Sequence, residues 1–178
     1  MRPLCVILDR DGVINAGGGK VNRPEHFVLL PGVGAAIARL NEAGILVAVA
    51  TNQGGVGMGF MTEEDLREVH EEMASQLHRQ GAYLDHISYC CEHPRAKLPM
   101  YRSNSPRRKP RSGMLQEIVL RFGVPPTRCV MVGDKETDIA PGNRLGMTTY
   151  YVGMDPDEGQ DADHLMFSLV EVVDHILG

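Results

Sequence analysis

Short runs of hydrophobic residues alternate with segments of helical periodicity along most of the chain. Several of these runs are continuous rather than alternating, as in CVIL, ILVAVA and CVMV. A continuous apolar run is typical of a strand that is buried on both faces of a parallel sheet. We therefore predict strands at residues 4–8, 45–51, 87–90, 129–132 and 148–152.

Helical patterns fill the segments between these runs. The clearest of them follows Thr62, a good N-cap residue, and places its apolar residues along one stripe. Ser112 and Gly123 mark the start and the end of another helix. We predict helices at residues 34–42, 63–80, 113–122, 139–145 and 169–176. The alternation of strands and helices predicts an α/β fold with a doubly wound parallel sheet.

One segment, residues 92–111, follows neither pattern. It contains four prolines and seven Lys or Arg residues, so we predict a long basic loop there. Loops of this length inside a compact domain usually carry function. The length of 178 residues suits one domain, and we expect a single domain over residues 1–178.

Charge and cysteine content narrow the class of protein. The chain has 18 Lys and Arg against 23 Asp and Glu, a formal net charge of −5, which does not favour a nucleic-acid-binding protein. No apolar stretch is long enough to cross a membrane, and the N-terminus lacks the pattern of a secretory signal. Four cysteines are too few for a disulfide scaffold. We therefore expect a cytoplasmic protein that binds neither nucleic acid nor a membrane. We also expect a monomer.

Polar side chains follow the predicted strands at the points where those strands end. Ligands bind at the carboxyl ends of the strands in an open α/β sheet, so we expect these side chains to share one edge. The set comprises Asp9 and Asp11 after the first strand, Thr51 and Asn52 after the second, Arg108 and Lys109 in the loop after the third, and Asp134, Lys135 and Asp138 after the fourth.

These residue types suit phosphate chemistry with a divalent cation. Neighbouring carboxylates repel one another, and Mg²⁺, which prefers oxygen ligands, would keep them ionised. One carboxylate can act as a nucleophile, and a second carboxylate two positions later can act as an acid and a base. Taken singly, each motif is also compatible with an ordinary turn or, for Asp138, a solvated helix face. Their placement after successive strands favours one shared site.

The chain resembles the haloacid dehalogenase (HAD) superfamily in four successive segments: LDRDGVIN, VATNQGG, RRKP and VGDKETD. The closer resemblance, over about residues 4–152, is to the branch of D-glycero-D-manno-heptose 1,7-bisphosphate 7-phosphatases and histidinol-phosphatases. It implies an Mg²⁺-dependent phosphomonoester hydrolase without a separate cap domain. The implied substrate is a small phosphorylated sugar, first of all the heptose bisphosphate, with histidinol phosphate or another metabolite phosphate as the alternative.

The resemblance also implies a role for each site residue. Asp9 would be the nucleophile that forms an aspartyl-phosphate, and Asp11 would be the general acid and base. Asp9, Asp134 and the backbone carbonyl of Asp11 would hold Mg²⁺. The remaining roles are the binding of the substrate and its phosphate by Thr51, Asn52, Arg108 and Lys109, and support of the site by Lys135 and Asp138.

The loop after the third strand departs from that branch, whose members commonly bind zinc through a C-x-H pair and a later C-x-C pair. This chain has Cys90, Cys91 and His93 near the start of the loop. Ser105 and Arg107 stand where the later pair falls, and neither replaces a thiolate. We therefore expect no structural zinc, with metal binding at the first three residues left open.

Several alternatives stay in view. Met58 stands near a position where the branch carries arginine, so the substrate is less determined than the reaction type. Non-enzymatic alternatives are a receiver-like domain, although its accepting aspartate would follow the third strand, and a protein that binds anions through the basic loop. A kinase is not expected, because residues 17–20 lack the spacing of a G-x-x-x-x-G-K-[ST] loop. We expect His70 and His78 to be exposed or partly buried.

Overall fold

The computed structural model describes residues 2–16, 21–155 and 157–178, so the segment 17–20 lies outside the described residues. The described strands are β1 (Cys5–Leu8), β2 (Leu46–Asn52), β3 (His86–Cys90), β4 (Cys129–Gly133), β5 (Thr148–Val152) and β6 (His164–Met166). The described helices are α1 (Val33–Glu42), α2 (Glu63–His78), α3 (Gly113–Phe122), α4 (Glu136–Leu145) and α5 (Leu169–Leu177). None of these helices is long and apolar enough to span a membrane.

The strand order confirms the predicted doubly wound sheet. All pairs are parallel, in the order β3-β2-β1-β4-β5-β6. The chain moves outward from β1 to β3 on one side, then crosses back to β4 and moves outward to β6 on the other. The winding reverses between β1 and β4, which is where such sheets bind ligands. Receiver-like domains have the order 2-1-3-4-5 instead, so that alternative does not fit this fold.

Helices cover both faces of the sheet, which explains the continuous apolar runs. Val6 and Leu8 of β1 belong to the core that includes residues of α1, α2 and α5. Cys5 and Ile7 point to the opposite face and belong to the core beneath α3. All four side chains are fully buried, as strands between two helical layers require.

The ends of the helices follow local chemistry. Thr62 Oγ1 accepts a hydrogen bond from Asp65 N at 3.0 Å, and the Asp65 carboxylate accepts one from Thr62 N at 2.7 Å, so α2 begins with a capping box as its sequence predicts. Ser112 occupies the N-cap position of α3 without a side-chain cap, and Gly123 ends α3 in the left-handed region. Helix α4 begins at Glu136, three residues before the predicted start. The prediction begins too late because the first turn of this helix is polar and shows no apolar periodicity.

Candidate active site

All predicted site residues except Asp134 line one cavity of about 260 Å³ at the carboxyl ends of the strands. The ends of β1, β2 and β4 form its floor, and the basic loop after β3 forms one wall. Thr137 is the only lining residue among the described positions that was not predicted from sequence. The cavity is lined by Asp9, Asp11, Thr51, Asn52, Arg108, Lys109, Lys135, Thr137 and Asp138.

A glycine turn lets the ends of β1 and β4 approach each other. Gly12 has a φ of 96°, a conformation that residues with a side chain rarely adopt. A Cβ atom at this position would also overlap the carboxylate of Asp134. Gly12 N donates to Asn15 O at 2.7 Å and closes the turn. The aspartates that follow β1 are thereby brought close to the aspartate that follows β4.

Lys109 joins two of the carboxylates. Its Nζ lies 2.7 Å from Asp9 Oδ1 and 2.6 Å from Asp138 Oδ1, and the residue is 3% exposed. Burial alone would lower the pKa of Lys109, but the two carboxylates outweigh it and raise that pKa, so the side chain stays charged. Asn52 fixes the main chain of Lys109 by two hydrogen bonds of 3.0 Å each, one donated and one accepted.

Asp9 is held in a nearly water-free position at the end of β1. Burial raises the pKa of Asp9, and the ammonium of Lys109 lowers it. Burial outweighs Lys109, and the net result is a pKa of about 7 for Asp9. Asp138 and Asp11 add to the rise because they are like charges. A cation bound next to Asp9 would act in the same sense as Lys109 and favour the ionised carboxylate.

Three carboxylates form a candidate metal centre. Asp9, Asp134 and Asp138 each offer a ligand atom, and these atoms lie within 4.8 Å of one another. Within the described residues, Asp134 Oδ1 is buried and has no hydrogen-bond partner, which is costly for a carboxylate oxygen. A hard cation with oxygen ligands would satisfy it, so these residues fit Mg²⁺. The Asp11 carbonyl as a further ligand stays a prediction.

The alternative that Asp138 lies on a solvated helix face is wrong. Asp138 is 3% exposed, and its Oδ2 accepts a hydrogen bond from Asp134 N at 3.2 Å. Gly133 leaves space for this contact, because a Cβ atom there would overlap Asp138. Lys135, by contrast, lies at the rim, with Nζ 3.6 Å from Asp134 Oδ2 and a side chain that is 55% exposed.

Four nitrogen atoms donate hydrogen bonds to the Asp11 carboxylate. Arg10 Nη2 lies 2.8 and 3.0 Å from its two oxygens, Arg10 Nε lies 3.2 Å from Oδ1, and the side-chain amides of Asn15 and Gln53 each lie at 2.9 Å. Burial alone would raise the pKa of Asp11, but Arg10 and the two amides lower it below its usual range. Gln53 also donates to Thr51 Oγ1 at 2.8 Å, which leaves the Thr51 hydroxyl proton free to donate.

Three residues that hold Asp11 were not predicted as site residues: Arg10, Asn15 and Gln53. All three are buried polar residues, and they stand inside the segments LDRDGVIN and VATNQGG. Their position within those segments was the available signal. His70 is also buried, at 8% exposed, so the expectation of a surface or partly buried residue is wrong for it, whereas His78 is exposed.

Arginines hold the basic loop in place. Arg107 forms an ion pair of 2.7 Å with Glu117 of α3 and donates to the Tyr89 carbonyl at 2.9 Å. Arg102 donates to the Ala96 carbonyl at 2.8 Å. These two side chains are therefore engaged within the protein, and the cationic side chains that this loop contributes to the cavity lining are Arg108 and Lys109.

Cys90 and His93, near the start of the loop, have protein partners. The Cys90 thiol donates to a Glu92 carboxylate oxygen at 3.2 Å, and His93 Nδ1 accepts from Arg95 N at 3.0 Å. Burial raises the pKa of Cys90, and the Glu92 carboxylate adds to the rise. The expectation that the loop holds no structural zinc stays a prediction.

The site lies where the winding of the sheet reverses, and in it the charge of a buried lysine offsets the charges of two carboxylates beside a small cavity. This fold and this site define the class of HAD-like hydrolases. Residues 106–178 match the HAD-hydrolase-like family model. The chain is 36% identical over 159 residues to D-glycero-beta-D-manno-heptose-1,7-bisphosphate 7-phosphatase of Rhodopseudomonas palustris, with 89% of this chain and 86% of that protein covered.

Two further relatives agree with this class. The chain is 34% identical over 162 residues to D-glycero-alpha-D-manno-heptose-1,7-bisphosphate 7-phosphatase of Burkholderia mallei, which covers 91% of this chain and 86% of that protein. The crystal structure of D,D-heptose 1,7-bisphosphate phosphatase from B. bronchiseptica, complexed with magnesium and phosphate, has a TM-score of 0.87 and 29% identity, with 97% of each chain covered. The chain belongs to the D-glycero-D-manno-heptose-1,7-bisphosphate 7-phosphatase family, as its motifs predict.

Proposed function

We propose that this protein hydrolyses the 7-phosphate ester of a D-glycero-D-manno-heptose 1,7-bisphosphate in the presence of Mg²⁺. The observation that carries the proposal is the pairing of buried Asp9 with Lys109, beside Asp11 and Thr51, in one cavity at the reversal point of the sheet. The relatives named above are phosphatases for this bisphosphate. Arg108 at the cavity wall would meet the part of the substrate beyond the transferred phosphate.

In the first half of the reaction, an Asp9 carboxylate oxygen attacks phosphorus. The anionic phosphate beside Asp11 raises the pKa of that carboxylate, so Asp11 takes up a proton as the substrate binds. A bond forms between the Asp9 oxygen and phosphorus, the ester P–O bond breaks, and the leaving oxygen takes this proton from Asp11. Thr51 donates its hydroxyl proton to a phosphate oxygen, and Lys109 offsets negative charge beside Asp9. The heptose leaves as an alcohol, and Asp9 carries the phosphoryl group.

In the second half, water attacks the phosphorus of the aspartyl-phosphate. Asp11, now a carboxylate, takes a proton from this water while the bond between phosphorus and Asp9 breaks. The products are inorganic phosphate and a free Asp9 carboxylate. Asp9, Asp134 and Asp138 would hold Mg²⁺, which, when bound, offsets the charge of the carboxylates and of the phosphate oxygens.

Removal of Mg²⁺ is expected to stop turnover. Without the cation the three carboxylates repel the anionic substrate, and the loss of ~3 kcal/mol of charge stabilisation lowers the rate by about 100-fold or more. The measurement is phosphate release after treatment with EDTA and after re-addition of Mg²⁺. Full activity in EDTA with no metal in the purified protein would contradict the proposed metal centre.

The substrate is tested by phosphate release from a panel. The panel contains both anomers of the heptose 1,7-bisphosphate, the 1-phosphate, the 7-phosphate and histidinol phosphate. We expect kcat/KM for the bisphosphate to exceed that for histidinol phosphate by roughly 100-fold, because the site must leave charged groups unpaired with the smaller compound. Release of one phosphate per bisphosphate, with heptose 1-phosphate as product, supports the proposal. Preferred hydrolysis of histidinol phosphate would favour the alternative substrate instead.

We keep four expectations as part of this proposal. They are a single domain over residues 1–178, a monomer, a small-molecule substrate without nucleic acid or membrane, and a cytoplasmic location. A small anionic substrate and a cavity of about 260 Å³ support the third of these. Salt-sensitive binding to RNA without turnover would favour the remaining non-enzymatic alternative, a protein that binds anions through the basic loop.

A further inference from the structure

A fully buried arginine lies between the turn after β1 and helix α2. Arg10 is 1% exposed. The Nη2 and Nε atoms of its guanidinium donate hydrogen bonds to the Asp11 carboxylate. A buried charge is costly unless its donors have partners. The Asp11 carboxylate thus accepts hydrogen bonds from one edge of the guanidinium. The other edge, at Nη1, faces α2.

His70 of α2 lies on that other edge. Its Nε2 is 3.5 Å from Arg10 Nη1, and its ring packs against Tyr89 of β3 with centroids 5.5 Å apart. Burial, together with the nearby charge of Arg10, lowers the pKa of His70 to about 4. The ring is therefore neutral at neutral pH, and one of its nitrogens can accept a hydrogen bond from the guanidinium.

We propose that Arg10, backed by His70, is a positioning residue that aligns Asp11 for its two proton transfers. The inference rests on the proposed function, in which Asp11 acts first as an acid and then as a base. The other groups that hold Asp11 are also rigid, since Asn15 is 1% exposed and Gln53 is 6% exposed. The carboxylate is thus fixed from three directions, and proton transfer requires such fixed geometry.

Loss of this alignment has a distinct kinetic signature. An alkyl phosphate, such as the 7-phosphate of the heptose, needs a proton on its leaving oxygen, whereas p-nitrophenyl phosphate does not. The value of kcat/KM reports the steps through formation of the aspartyl-phosphate, so it falls for the alkyl ester alone. Hydrolysis of the aspartyl-phosphate still needs Asp11 as a base, so the aryl ester shows a burst followed by slow turnover.

The test compares Arg10→Met, His70→Phe and His70→Gln with the wild-type protein on both esters. We expect Arg10→Met to lower kcat/KM for the alkyl ester by ~100-fold, within the range of general acid–base effects, and to leave kcat/KM for the aryl ester within about 3-fold. A burst of p-nitrophenolate equal to the enzyme concentration accompanies this change. His70→Phe shows the same pattern at ~10-fold, and His70→Gln, which keeps an acceptor, restores the wild-type values to within about 3-fold.

His78→Phe is the matched control, because His78 is an exposed residue at the end of the same helix, and it leaves both esters unaffected. Equal losses for the alkyl and aryl esters, or the absence of a burst, would overturn the role of Arg10. Failure of His70→Gln to restore activity would overturn the role of His70, and the His70 variants decide the matter if Arg10→Met does not fold. A wild-type protein that hydrolyses neither ester shows instead that the proposed function has failed.

Discussion

Replacement of Asp9 by asparagine is expected to lower kcat by about 10⁴-fold or more, because an amide does not form the phosphoryl bond on which both halves of the reaction depend. The fold is expected to persist. Asp9 is buried at the end of β1, and its ion pair with Lys109 offsets the cost of burying its charge. An asparagine has nearly the same shape and carries no charge, so it removes this cost. Lys109 keeps its second carboxylate, Asp138, at 2.6 Å.

The measurement is phosphate release by Asp9→Asn and Asp9→Ala, together with thermal unfolding of both variants. The alanine variant guards against deamidation, which would regenerate the aspartate. Asp174→Asn is the matched control, because Asp174 is an exposed partner of Arg39 on the far helix α5 and lies outside the cavity. Turnover by Asp9→Ala at more than a hundredth of the wild-type rate, on the scale of nucleophile deletions, would refute the nucleophile assignment.

Replacement of Lys109 by methionine is expected to damage both turnover and stability. Removal of one partner from a buried ion pair leaves the other charge uncompensated, at a cost of about 3–5 kcal/mol in the free energy of unfolding. Here the loss leaves two buried carboxylates, Asp9 and Asp138, without their shared cation. Loss of a preorganised charge beside the reacting phosphate lowers kcat by ~10³-fold.

The free energy of unfolding is measured by chemical denaturation in EDTA, so that no cation takes the place of the lysine. Lys135→Met is the control for stability, because its 3.6 Å contact with Asp134 lies at an exposed position and is worth less than about 1 kcal/mol. A Lys109→Met protein as stable as Lys135→Met would show that the buried carboxylates do not depend on this lysine.

The sequence predicts the fold and the location of the site because both depend on local signals. Continuous apolar runs mark strands buried on two faces, and the residue after each run lies at the carboxyl edge. The sequence therefore places Asp9, Thr51 and Asp134 at one edge of the sheet. Strand β6 has three residues, too few for a periodic pattern, and it was missed.

The contacts among the site residues could not be predicted in the same way. The path of the basic loop has no periodicity, so nothing local indicates that Lys109 reaches both Asp9 and Asp138. The burial of Arg10 and His70 depends on how α2 packs over the turn after β1. A charged residue in a turn and a histidine on a helix are usually solvated, and only tertiary packing decides otherwise.

The reciprocal hydrogen bonds between Asn52 and Lys109 tie the site to the completion of folding. They join the end of β2 to a loop residue 57 positions later, and Lys109 then contacts Asp9, which lies 100 positions earlier. Contacts between such distant segments form only after the intervening chain has closed, which is entropically costly. In a chain that has formed only its first two strands, Asp9 therefore lacks the contact with Lys109. The phosphatase site forms only when the whole sheet and the basic loop have folded, and no single segment contains it.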